Sequence, residues 1–105
     1  MNYEKIYNNL IYKAIEEGVD GYYERHHVIP RAFGLDDNRV VHLSIEQHYL
    51  AHLLLYKIFG GNTIFAVEAF YDRNRYKHFD IKDMPKWIRK RITLQRAALH
   101  RSTKR

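Results

Sequence analysis

The amino-acid sequence predicts an α+β fold, and three kinds of stretch predict it. Tyr3, Ile6, Tyr7, Leu10, Ile11 and Ala14 recur at the three- and four-residue intervals of an amphipathic helix. Tyr22, Tyr23, Val28 and Ile29, and later Val40, Val41 and Leu43, are the β-branched and aromatic residues that pack well on a pleated strand. Ser44 with Gln47 three positions on is a capping-box pattern, and it opens a long apolar run that stops at Gly60 and Gly61.

Taken in order, Asn2 caps the first helix and Gly18 ends it, because glycine adopts the left-handed conformation at little cost. Its apolar stripe reads as core, without chemistry. A first strand follows near residues 22–29, halted by Pro30, which lacks the donor a ladder needs. Gly34, Asp36, Asp37 and Asn38 are turn formers, so the second strand around Val40 to Leu43 closes a hairpin. The capped helix runs from about 45 to 59. Asn62 is expected to cap a short helix that packs Ile64, Phe65, Val67 and Phe70 inward. Residues 72–82 read as a loop. Asp83 is expected to cap the last helix, with Pro85 tolerated in its first turn. There Trp87, Ile88, Ile92 and Leu99 form an apolar side and Lys86, Arg89, Lys90 and Arg96 lie around the rest. The expectation is one domain over residues 1–105: an N-terminal helix (1–20), a hairpin and helix (22–59) and a helical, basic C-terminal part (62–105).

A chain of 105 residues suits one domain with a real hydrophobic core. With no cysteine it has no disulfide, thiolate metal site or cysteine nucleophile, so any metal must be held by His, carboxylate, amide or water. It holds no run of eighteen apolar residues and opens on no secretion signal, so the expectation is a soluble, intracellular, cytoplasmic protein without a membrane partner. The net charge of +6 is lopsided. Residues 1–83 carry ten Lys/Arg against twelve Asp/Glu, whereas residues 84–105 carry eight Lys/Arg and no acid. Such a basic segment is the electrostatic footprint of a polyanion partner, nucleic acid foremost, or else a solubilising tail.

Seven histidines are present, and four of them fall in two tight pairs between Tyr23 and His52. His48 and His52, four apart on a helix, share one face, and imidazoles so placed converge on one ion. His26 and His27 are adjacent, so in a regular strand they point to opposite sides and cannot play the same part. One can ligate while the other meets substrate. Three protein ligands leave an open coordination position, the mark of a catalytic metal site, and imidazole titrates near neutrality, which suits a general base. Metal and base together equip a protein for phosphodiester hydrolysis. His42, His78 and His100 read as ordinary structural or surface residues.

The residues Tyr23-Glu24-Arg25-His26-His27-Val28-Ile29-Pro30-Arg31, then Asp37-Asn38-Arg39-Val40, then Leu43-Ser44 and Gln47-His48-Tyr49-Leu50-Ala51-His52 resemble the HNH endonuclease signature. The likeness is to small free-standing phage HNH endonucleases, homing-type ones included. Met1 to Tyr7 and Leu53 to Ile58 resemble that group too, so the likeness covers roughly the first sixty residues. It implies a ββα-metal site that nicks or cuts DNA with one divalent ion (Zn, Mg, Mn or Ni), acting as a monomer or homodimer.

Position by position, the resemblance makes His27 the general base and His26 a metal ligand. It makes His48 and His52 ligands as in members with a three-histidine site, such as the colicin nucleases. Asn38 takes the place of the central asparagine, which bonds backbone across the loop and holds the base in position. The chain departs from the common pattern in its shorter loop, in Gln47 where relatives carry Glu, and in a central position open between Asn38 and Asp37. Glu24 is either an outer carboxylate orienting an imidazole or a surface residue. Arg31 is the preferred clamp on the scissile phosphate. Arg25 and Arg39 flank the site, and Lys86, Arg89, Lys90 and Arg96 offer DNA phosphate contacts, which position a protein without reading sequence. The alternative is a catalytically silent HNH-fold module that binds DNA or protein around a structural metal.

Overall fold

In the computed structural model, α1 (Tyr3–Glu17) begins where the Asn2 side chain accepts the Lys5 N–H at 3.0 Å. It ends where Gly18, at φ 69°, returns its N–H to Ala14 at 2.9 Å. The described residues are 1–28, 39–72 and 75–103, with side chains as far as Arg101. Asn38, Asp37 and Arg31 lie outside them.

Strands β1 (Glu24–His27) and β2 (Val40–Leu43) form an antiparallel pair in which Glu24 faces Leu43 and His26 faces Val41. Of the 22–29 expected for the first strand, Tyr22 and Tyr23 stand outside the ladder and Ile29 lies outside the described residues. Val28 extends the pairing by one bond, its N–H donating to Arg39 at 2.9 Å. Along β1, Glu24 and His26 share one side of the pleat and Arg25 and His27 the other. Burial follows, with His26 only 2% exposed and Arg25 in solvent.

α2 (Ile45–Phe59) opens with the reciprocal box read in the sequence: Gln47 N–H donates to Ser44 Oγ at 3.1 Å, and Ser44 N–H donates to Gln47 Oε1 at 2.9 Å. This gives Gln47 a structural task that a glutamate would serve equally. Among the described residues the fold is α+β, with four α-helices and one two-stranded antiparallel sheet.

The backbone gathers into two compact units, Met1–Leu54 and Leu55–Arg105. In the first, Tyr7, Ile11 and Ala14 of α1 are buried, as are Val41 and Leu43 of β2 and Ala51 of α2. In the second, a 3₁₀ turn (Gly61–Thr63) leads into α3 (Ile64–Glu68), which packs Ile64 and Val67 against α4 (Lys86–Thr103), where Ile88 and Ile92 are buried.

Several expectations change here. Asn62 makes no cap; its side chain accepts from Gln95 of α4 at 2.7 Å. Asp83 closes a 3₁₀ turn (Ile81–Asp83) that Asp80 caps, and α4 starts from Pro85, whose carbonyl receives the Ile88 and Arg89 N–H groups. The loop before α4 contributes to the core: Tyr76 is buried and stacks on Phe70 with centroids 5.0 Å apart. Trp87 and Leu99 are not on a covered apolar side, being 39% and 37% exposed.

Candidate active site

The strand and the helix bring together what the sequence keeps more than twenty residues apart. Glu24 and His26 leave β1 on the same side as His48 and His52 of α2, and the His26 ring lies edge-on to both helix histidines, with centroids 5.1 and 5.0 Å away. One nitrogen from each of His26, His48 and His52 lies within 4.8 Å of the others, close enough to hold a metal ion. A tetrahedron with bonds of about 2.1 Å sets its ligand nitrogens about 3.4 Å apart, so the widest pair of the triad must draw in by roughly 1.4 Å to take an ion. His48 and His52 already meet Nε2 to Nε2 at 3.1 Å, near the spacing of about 3.4 Å that two imidazoles take in a tetrahedron.

Hydrogen bonding assigns the ring protons. Tyr7 Oη has a single proton and donates it to the Val28 carbonyl at 2.6 Å. Its 2.8 Å contact with His26 Nε2 must therefore run the other way, Nε2–H donating to the hydroxyl oxygen. His26 is left with its lone pair on Nδ1. Glu24 Oε1 accepts from His48 Nδ1–H at 2.9 Å, which leaves the lone pair of His48 on Nε2, where it accepts from His52 Nε2–H at 3.1 Å, a proton that a bound ion would displace. The bonds to Tyr7 and Glu24 are the kind by which outer groups fix the tautomer and ring orientation of a metal-binding histidine.

Burial, above all, keeps the His26 and His52 rings neutral. Burial pushes the His26 imidazole down to about 3, aided by the proximity of His52, His48 and His27. Burial and His48 take His52 down to about 4, against an opposing pull from Glu24. Burial raises the Tyr7 hydroxyl, which keeps its proton. Neutral imidazoles offer lone pairs to a cation at neutral pH.

A pH dependence follows, and its sign is fixed by the direction of the shifts. An unfolded chain protonates both imidazoles near 6.5, while the folded one resists to about 4 and about 3, so acid favours unfolding. Stability in EDTA is expected to be full above pH 6.5 and to fall as pH drops towards 4, by up to about 1.4 kcal/mol per pH unit for each histidine. Thermal melts across that range check it; a flat melting temperature would contradict it.

The other sequence-predicted residues fall as follows. His27 stands on the opposite side of β1 from His26, half-buried, at the end of the strand. Arg25 and Arg39 are exposed close by in sequence. Lys86, Arg89 and Lys90 are exposed on α4, and Arg96 is ion-paired with Glu68. His42 stacks on Tyr23 at 4.1 Å. Glu24 proves to orient an imidazole. Tyr7 went unrecognised because its place in the helical stripe reads as ordinary core. A tyrosine where the stripe would accept leucine was the only signal, since a buried hydroxyl needs a partner.

The chain is 45% identical over 67 residues to probable mobile endonuclease E of Enterobacteria phage T4, an overlap of 61% of this chain and 48% of that protein. Over 84 residues it is 38% identical to probable mobile endonuclease C of the same phage, 74% of this chain and 39% of that one. With probable mobile endonuclease B it shares 47% identity over 66 residues, 56% of this chain and 25% of that one. This chain therefore spans from a quarter to about half the length of these curated relatives. No family model matches it, and no solved structure does. No helix among the described residues is long and apolar enough to cross a membrane.

Proposed function

We propose that this protein is a metal-dependent DNA endonuclease of the HNH type, hydrolysing phosphodiester bonds with one divalent ion and a histidine base. The observation that carries the reading is the histidine triad with its two outer partners, on a hairpin followed by a helix. The similarity to phage proteins named as probable mobile endonucleases supports it.

In this reading His26, His48 and His52 hold the ion, with Tyr7 and Glu24 behind them. When bound, a divalent ion supplies positive charge where the phosphate and the leaving oxygen gain negative charge. His27, on the other side of the strand, takes the proton from the attacking water. Arg25 and Arg39, with Arg31, steady the phosphate, and Asn38 or Asp37 braces the base. Lys86, Arg89 and Lys90 draw in the DNA; Arg96 contributes less, because Glu68 already engages it. The chemistry belongs to residues 22–59, with the flanking parts in support. The three-histidine set suits zinc and nickel better than manganese or magnesium, and which ion serves is decided by supply as well as affinity.

The test is supercoiled plasmid incubated with the protein and magnesium, manganese, nickel or zinc in turn, with EDTA as control. Metal-dependent nicking is the expected result, and stoichiometric metal binding without any nicking would favour the silent binding module. The outer partners give a second expectation: Tyr7→Phe and Glu24→Gln should each weaken metal affinity by about 10–100-fold, read by calorimetry. Affinity unchanged in both would remove them from the site.

A further inference from the structure

α2 ends and α4 begins around an open concavity of about 570 Å³, lined by Tyr56, Lys57, Gly60, Trp87 and Arg91. Trp87 is 39% exposed although its neighbour Ile88 is wholly buried, so the indole is turned out of the core. Lys57 Nζ sits 4.1 Å from the centre of the indole ring, and the Tyr56 ring lies beside it, centroids 6.4 Å apart and nearly parallel at 27°. Arg91 follows Trp87 by four residues on α4 and shares its face of the helix.

No carboxylate is among the five lining residues. Two cations thus share one concavity with no anionic side chain in its lining, only the indole face under Lys57, an arrangement that an anion relieves. A second concavity of the same unit makes the contrast: Arg89 and Arg96 there stand with Glu68 and Asp72, and both signs are present. The surrounding α4 surface adds Lys86 and Lys90, and residues 84–105 hold no acid.

We propose that Lys57, Arg91 and Trp87, flanked by Tyr56, form a grip for the phosphodiester backbone of duplex DNA. This rests on the reading of the protein as one that works on DNA. Arg91 offers the planar, bidentate fork that phosphate oxygens match, Lys57 a point charge, and the part of the indole left exposed an apolar contact for a deoxyribose. Base stacking, the usual use of an aromatic ring on a single strand, is disfavoured because Lys57 already covers a face of the indole.

Trp87 is the chain's only tryptophan, so its emission reports on this site alone. The experiment titrates a short duplex, and a single strand of the same length, into the intact protein in EDTA. It then repeats the duplex titration by fluorescence anisotropy with the Lys57→Gln, Arg91→Gln double variant. Duplex binding should change the Trp87 emission. The double variant should bind the duplex about tenfold more weakly near 0.1 M salt, with the slope of log affinity against log salt smaller by about 2.

Binding of the duplex with unchanged Trp87 emission would overturn the proposal, and it needs no variant to fold. An unchanged salt slope in a double variant with native circular dichroism would overturn it too. A single strand that binds more tightly and quenches more strongly would make this a stacking site, not a backbone grip. Plasmid nicking with a silent Trp87 removes the grip and leaves the nuclease reading; a Trp87 response in a protein that never nicks does the reverse.

Discussion

His27→Ala is expected to lower metal-dependent plasmid nicking by about 10²–10⁴-fold, the range that a positioned general base contributes. Metal affinity should change little, because His27 stands on the far side of the β1 pleat from the triad. The half-buried side chain caps no helix and has Val40 as its cross-strand neighbour, so the melting temperature should also stay close to that of the parent. Nicking by the variant at the parent rate, measured under single-turnover conditions with saturating metal, would remove His27 from the base role. Loss of nicking together with loss of metal would instead make it part of the ion site.

His52→Ala carries the second large effect. The triad offers three nitrogens and no cysteine stands ready to replace one. Removing His52 leaves two, so metal affinity should fall by more than the roughly 10–100-fold that loss of an outer partner costs. The same substitution removes an imidazole held neutral by burial, and with it part of the acid sensitivity of the ion-free protein. The variant should therefore show little metal-induced rise in melting temperature, where the parent gains about 2.7 kcal/mol at a metal concentration one hundred times its dissociation constant. A variant that still binds one ion at parent affinity would mean that His26 and His48 find their third ligand elsewhere.

These two expectations differ in how far the sequence reached them. The i, i+4 spacing of His48 and His52 was enough to place both on one helical face, because helix geometry is local and a capping box marks where the helix begins. The split between His26 and His27 was equally legible, since a strand alternates sides whatever it packs against. The orientation of the triad was not. It depends on Tyr7, nineteen positions before His26 and on a helix whose stripe looked like plain core. It depends also on Glu24, for which a strand position alone allows either solvent or an imidazole.

The C-terminal half shows the same division. Ile88 and Ile92 are buried where the helical period put them, but Trp87 and Leu99 are not. Their apolar character was read correctly, yet the period cannot say how wide a stripe α3 covers. Tyr76 and Phe79 lack any period, and still they join Phe70 in an aromatic cluster, because loop residues are buried by what closes over them.

By itself the sequence determined the α+β class, the bounds of α2, the sides of β1 on which His26 and His27 stand, and the concentration of positive charge after Asp83. Each follows from interactions over a few residues, or from counting. Tertiary structure alone decided that Tyr7 and Glu24 stand behind His26 and His48, which ring nitrogens keep their lone pairs, and that Trp87 lines one concavity with Lys57 and Arg91. Those depend on which surfaces meet, and a hydrogen bond between residues nineteen or twenty-four apart has no periodic trace in the chain.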